Sequence, residues 1–203
     1  MSERAKRRRA GSRAAQVERG KKGGRRVLVG GVVVALAAVA LLGAGLVGAA
    51  RADRAPDFAM VAYQGEDALG GSQAQLHDLI GDGTPVVVNF WASSCPPCRE
   101  EMPGFQRVHD ELGDAFHLVG VDVGRFTGLG SQAGARDFLV EYAIRYPAAY
   151  LLDDGALRDY EVRSMPTTVF IDGSGTIQDK HTGYLAEDRF REAVEALIAG
   201  GGA

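Results

Sequence analysis

Residues 85–91 read PVVVNFW. An unbroken run rich in β-branched and aromatic residues suits a strand buried on both faces, the kind found in sheets covered by helices on either side. The period then changes. Over residues 96–112 the apolar positions Met102, Phe105, Val108 and Leu112 recur every three or four residues, as in a helix with one face turned inward. Pro103 lies inside that helix and is expected to kink it. Residues 117–123, HLVGVDV, read as a second buried strand. Strand, helix and strand in this order make a crossover unit, and so an α/β domain with parallel strands at its centre.

The flanking segments extend this unit. Residues 57–63 alternate loosely as a strand, Gly70-Gly71 is a turn signal, and 75–80 is a short apolar segment. Residues 124–134 are glycine-rich and read as a loop, 135–144 as a helix, 150–152 as a short strand followed by a short helix to Tyr160. Residues 167–172 (TTVFID), the turn Gly173-Ser174-Gly175 and residues 176–182 form a β-hairpin. Residues 187–198 close the chain as a helix with Phe190, Val194, Leu197 and Ile198 inward. The order ββ-βαβα-ββα predicts a mostly parallel core with an antiparallel edge.

The N-terminal quarter is of another kind. Residues 27–50 form twenty-four residues without a charge or a strongly polar side chain. About 20 apolar residues in a helix span a bilayer, so this segment is expected to be one transmembrane helix, a signal-anchor. Residues 1–26 before it carry eleven Lys/Arg and two Glu, net +9, whereas the rest of the chain is net −12. The positive-inside rule then puts the basic tail in the cytoplasm and everything after Arg51 outside. The tail has no hydrophobic periodicity and is expected to be disordered. The competing reading is a cleaved signal peptide, with Ala50-Arg51-Ala52 as the cleavage site, although the apolar run is long for that role. Either way the body is expected to be extracytoplasmic, held at the cell membrane by the retained anchor, with 51–56 as linker and 57–203 as the folded domain. A basic head on an acidic body argues against nucleic-acid binding by the domain.

Two cysteines exclude a disulfide-stapled scaffold, and both fall in one C-x-x-C, Cys95-Pro96-Pro97-Cys98, where the buried strand ends and the helix begins. This spacing sets Cys95 at the helix N-cap and Cys98 at the third helical position, so the sulfurs can bond within one turn. The helix N-terminus favours negative charge on Cys95. Pro96 suits the first helical position, and with Pro97 next, the first N–H able to face the Cys95 sulfur is that of Cys98. Cys95 is therefore expected to be the exposed, attacking thiolate and Cys98 the more buried, resolving thiol. A zinc site would need His77, His109, His117 or His181, none of which has the paired spacing of zinc ligands, and no metal is expected. Covalent haem needs a histidine after the second cysteine, where Arg99 stands. A Cys–His nucleophile pair stays open at this point, although it leaves one cysteine without a role.

The segment from Trp91 to Pro103, WASSCPPCREEMP, resembles the active-site segment of membrane-anchored thioredoxin-fold proteins of the TlpA/ResA type. Val-Val-Val-Asn-Phe before it, Ser164-Met165-Pro166-Thr167-Thr168 later and Thr182-Gly183-Tyr184 near the end resemble that family too. The resemblance runs from about Pro56 to Ile198, nearly the whole of the expected extracytoplasmic part. It implies a thioredoxin-like fold, with a central mixed sheet flanked by helices and an N-terminal β-hairpin extension. It implies that Pro166 is cis and that Met165 offers its backbone to an extended substrate segment. It also implies that Glu101, three residues after Cys98, manages the proton of the resolving thiol; the bland alternative is a solvated carboxylate like Glu100. Asn89 stands where thioredoxin keeps a buried acid. Trp91 is expected on the substrate-facing surface, with ordinary core as the alternative. Asp122 reads as a strand-end polar residue.

Together these features predict a membrane-tethered thiol–disulfide oxidoreductase that needs no cofactor beyond its cysteine pair. The resemblance implies reduction of protein disulfides, with apocytochrome c among the substrates and a membrane thiol-electron donor as partner. A disulfide-forming oxidase on the same fold is the alternative. A thiol peroxidase is disfavoured because Ala92 stands where a peroxidatic threonine is expected, and a copper-binding module because its cysteine spacing differs.

Overall fold

The structure is a computed structural model and describes residues 54–200. The expected basic tail and transmembrane run lie outside these residues. Among the described residues, no helix is long and apolar enough to cross a membrane.

The elements follow in the order β1 (Ala59–Gln64), α1 (Glu66–Leu69), β2 (Gln73–Gln75), α2 (Leu76–Ile80), β3 (Val86–Trp91), α3 (Pro96–Leu112) and β4 (His117–Asp122). Then come α4 (Gly124–Thr127), α5 (Gln132–Glu141), β5 (Ala148–Leu151), α6 (Gly155–Asp159), β6 (Thr167–Ile171), β7 (Ile177–Thr182) and α7 (Glu187–Gly200). The strands form one sheet in the order β2-β1-β5-β4-β3-β6-β7. Only β3–β4 and β4–β5 are parallel. The sheet is thus mixed, with antiparallel flanks on both sides rather than at a single edge. β1 and β2 pair as an N-terminal antiparallel extension.

The pleat of β3 divides the core. Val86, Val88 and Phe90 point to one side, where they meet Phe58, Leu69, Leu76 and Tyr160. Val87 and Trp91 point to the other, where α3, α5 and α7 supply Phe105, Phe138, Phe190 and Val194. All six residues of β3 are buried, as a strand covered on both faces requires. Phe105 and Phe190 stack with ring centroids 3.8 Å apart, which fastens α7 onto α3.

Two expectations change. The glycine-rich segment is not one loop. It holds α4 and the start of α5, and the irregular stretch shrinks to residues 128–131, with Gly128 and Gly130 at φ 72° and 153°. Ser131 caps α5 by accepting a hydrogen bond from the Gly134 amide at 3.1 Å. Pro103 lies inside α3, which runs unbroken over 17 residues. Second, residues 54–56 are part of the fold rather than linker. The Ala55 amide donates to the Gly175 carbonyl at 2.9 Å, Arg54 bridges Thr176, and Ala55 is buried.

Candidate active site

β3 ends in the core at Trp91, and four residues later the chain turns into α3. Cys95 is the N-cap of that helix in extended conformation, with Pro96 and Pro97 in its first turn. The prolines suit these positions because the first helical N–H groups have no partner within the helix. Cys95 and Cys98 are joined in a disulfide, their Cα atoms 5.3 Å apart. Cys98 is fully buried, and Cys95 is 3% exposed, between exposed Ser94 and Pro96. Cys95 is thus the more accessible sulfur-bearing residue, but far less open than the sequence suggested. The turn of residues 128–131 packs against the approach to it: the Ser94 amide donates to the Leu129 carbonyl at 2.8 Å. Met165 packs on the same core cluster.

The Met165–Pro166 bond is cis. Phe90 of β3 pairs with Thr167 of β6, so Pro166 lies next to the end of β3 from which the cysteines emerge. Pro166 is buried and Met165 half-buried. The Pro166 carbonyl accepts from the Gly183 amide at 2.8 Å, and the Thr167 hydroxyl donates to the Ser164 carbonyl at 2.8 Å.

Glu101 is not a solvated helix carboxylate. It is 2% exposed, one turn beyond Cys98 on the inward face of α3. The Asn89 Nδ2 group donates to Oε1 and the Leu185 amide to Oε2, each at 2.9 Å. These two donors favour the ionised form, but burial outweighs them and pushes the carboxyl up to about 8. A carboxyl so held takes or gives a proton near neutral pH. Asn89 is fully buried and also donates to Thr168 Oγ1 at 3.1 Å.

Trp91 lies in the core, not on the substrate-facing surface. It is fully buried, with its ring centroid 5.1 Å from that of Phe138. The pleat of β3 sends its side chain to the helix side with Val87, which adjacency to the motif does not reveal. Asp122 is buried at the end of β4, accepting from the Tyr63 hydroxyl and the Gly124 amide, both at 2.8 Å; burial pushes its carboxyl upward. It fastens β1 and α4 to the sheet. Each histidine is engaged elsewhere: His77 with the Ala55 carbonyl, His117 with Asp82, His181 with the Tyr184 carbonyl, and His109 against Phe116 and Tyr146. Neither a Cys–His pair nor a cysteine–histidine metal set is assembled from them.

Arg99 carried no sequence signal beyond its place after the motif. Its guanidinium donates to the Ser93 carbonyl at 3.0 Å and to the Tyr142 hydroxyl at 3.1 Å, and lies over the rings of Phe138 and Tyr142. It ties the approach to Cys95 to α5. Its partners on α5 are about forty residues away in sequence, so no local pattern announced them.

Residues 52–180 match the model of the AhpC/TSA family. The chain belongs to that family. Within it, the chain is 34% identical to the thioredoxin-like protein YneN of Bacillus subtilis, over 73% of this chain and 81% of that protein. It is 35% identical to the thiol-disulfide oxidoreductase ResA of Oceanobacillus iheyensis, over 68% of this chain and 67% of that one. A Chlorobium tepidum structure described as a thiol:disulfide interchange protein DsbE superposes with TM-score 0.58 at 30% identity, covering 73% of this chain and 95% of that chain. This member of the AhpC/TSA family is a thioredoxin-like thiol–disulfide oxidoreductase of the ResA type, and its redox group is the Cys95–Cys98 pair.

Proposed function

We propose that the chain works as a membrane-tethered protein-disulfide reductase outside the cytoplasm. The observation that carries the direction is the helix start at Cys95, with prolines in the first turn of α3. Both lack an N–H, so the Cys95 thiolate has few direct donors. A strong oxidant owes its potential to a stabilised reduced form. With the two proline amides missing, less of that stabilisation is available beyond the helix N-terminus, so the disulfide form gains and the dithiol is the more reducing.

The reaction then runs in two exchanges. The Cys95 thiolate attacks one sulfur of a partner's disulfide; a mixed disulfide forms, and the partner's other sulfur leaves as thiolate. Cys98 passes its thiol proton to the Glu101 carboxylate and attacks the Cys95 sulfur. The Cys95–Cys98 bond forms, the bond to the partner breaks, and the second partner sulfur leaves with the electron pair. The partner's two sulfurs gain two electrons and take protons from water. The Met165 backbone beside cis Pro166 offers an edge for an extended substrate segment. The uncharged run at 27–50 behind a basic tail supports the tether, with the catalytic domain across the membrane from the basic residues. Apocytochrome c is among the substrates this reading includes, and a membrane thiol transporter is its electron donor.

The test is the reduction potential of the Cys95–Cys98 couple, titrated against dithiothreitol and glutathione. A value near that of thioredoxin, about −270 mV, is expected; one near about −120 mV overturns the reductase reading in favour of the oxidase. Cys98→Ser should trap a mixed disulfide with the partner and Cys95→Ser should not.

A further inference from the structure

One of the two polar groups bonded to Glu101 has two faces. Asn89 lies on β3, fully buried, and its Nδ2 group spends both hydrogens, one on Glu101 Oε1 at 2.9 Å and one on Thr168 Oγ1 at 3.1 Å. Its Oδ1 is buried and has no partner among the described residues. Buried polar atoms without partners are rare and costly, so this one calls for a reason.

The reason lies in what Glu101 must do. The Leu185 amide at Oε2 can only donate. When the carboxyl takes up a proton, that proton therefore belongs on Oε1 and needs an acceptor, which Nδ2 cannot be. A half-turn of the Asn89 carboxamide exchanges Oδ1 for Nδ2. Oδ1 then accepts from the protonated carboxyl, and Thr168, whose hydroxyl can also donate, keeps its bond with the direction reversed. Either orientation satisfies two contacts and leaves one end of the amide unpartnered. The unpartnered end keeps the two orientations close in energy, where a third partner would lock one of them.

The groups facing Glu101 from its surroundings leave this task to Asn89. On α3 itself, Cys98 is one turn away, and Glu100 points to solvent. Tyr146, before β5, is buried among the same side chains and is pushed upward by burial and by Glu101, so it stays neutral. β6 contributes Thr168, which does not titrate. His181 on β7 is turned to the Tyr184 carbonyl, and Glu187 on α7 is paired with Arg107.

We infer that Asn89 is a positioning residue for the exchange reaction, a reversible hydrogen-bond partner whose amide turns over as the Glu101 carboxyl gains and loses its proton. The inference rests on the role of Glu101 as proton acceptor for Cys98. It also ties that proton to β6, since Thr168 follows cis Pro166 by two residues.

The test is made on the full chain in mild detergent, in the disulfide form, where neither cysteine titrates. The Glu101 carboxyl is followed by carbon NMR across pH, assigned by its loss in Glu101→Gln. The Asn89 side-chain amide is followed in the same samples. The expected result is that the Asn89 NH2 resonances move with the same midpoint as Glu101 and stop moving in Glu101→Gln. Asn89→Ala removes the donor to the charged form, whose hydrogen bond is the stronger of the two, so the Glu101 midpoint should rise by about one pH unit. Asn89 resonances that stay still through the Glu101 titration overturn the inference, and this arm needs no Asn89 variant to fold. An unchanged Glu101 midpoint in folded Asn89→Ala overturns it as well. Absence of a reversible Cys95–Cys98 couple would instead sink the redox reading, so the two failures are distinguishable.

Discussion

Glu101→Gln should make the protein more stable, and only on the alkaline side. Burial lifts the carboxyl from 4.5 to about 8, against the pull of two donors toward the ionised form. At about 1.4 kcal/mol per pH unit, ionising the native side chain costs on the order of 5 kcal/mol relative to the unfolded chain. The sign follows from proton counting. The unfolded carboxyl releases its proton near 4.5 and the native one near 8, so between those values the native state holds the extra proton. Stability from this group is full below about pH 4.5, declines as pH rises toward about 8, and is level beyond. A glutamine has no such dependence. Its amide oxygen can still accept from the Leu185 amide, and Asn89 can turn Oδ1 toward the new NH2. The assay is urea unfolding of the oxidised chain, wild type and variant, at about pH 5 and about pH 9. The stability difference between the two chains should grow by several kcal/mol from the lower to the higher pH, discounted from the full figure for water entering around the ionised group. Taking the difference cancels Asp122 and His109, which burial also displaces. A difference that is the same at both pH values would refute the reasoning, because the cost of ionising Glu101 would then be absent.

Two further substitutions test the packing behind the cysteines. Tyr146→Phe removes a buried hydroxyl that has no partner among the described residues, so urea unfolding should show stability unchanged or raised by up to about 1 kcal/mol; a loss of about 2 kcal/mol or more would mean the hydroxyl is bonded in solution. Gly120→Ala should cost about 1–3 kcal/mol and lower the thermal midpoint, because the added Cβ would lie 3.1 Å from both Trp91 Nε1 and Tyr146 Cε2 in the core. A neutral result there would show that these two rings can move apart.

Much of the fold is legible in the sequence because its signals are local. The unbroken β-rich run at 85–91, the helical period after it and the Thr167 hairpin each depend on neighbouring residues, and the structure has β3, α3, β6 and β7 there. Where the reading went astray, an individual residue type misled it. Glycines at 124–134 suggested slack, yet those with positive φ cluster at Gly128 and Gly130, and Ser131 starts a helix that the run of small residues disguised. Trp91 stands four residues before Cys95, but the pleat of a strand covered on both sides, not proximity in sequence, decides where it points. The extended paths of residues 54–56 could not be read as part of the domain, because what holds them is the distant turn at Ser174–Thr176.

By itself the sequence determined the redox pair and its setting: two cysteines in one turn at a strand-to-helix junction, with prolines that withhold their amides from Cys95. These depend on spacing and on the chemistry of each residue, and need no distant partner. The tertiary structure alone decided the environment of Glu101. Its donors come from residues 12 positions before and 84 positions after it in the chain, and Asn89 in turn reaches Thr168, 79 positions away. A carboxyl is an ordinary solvated acid or a proton acceptor near neutral pH according to whether water reaches it, and β3, β6 and the approach to α7 close around α3 to keep water out.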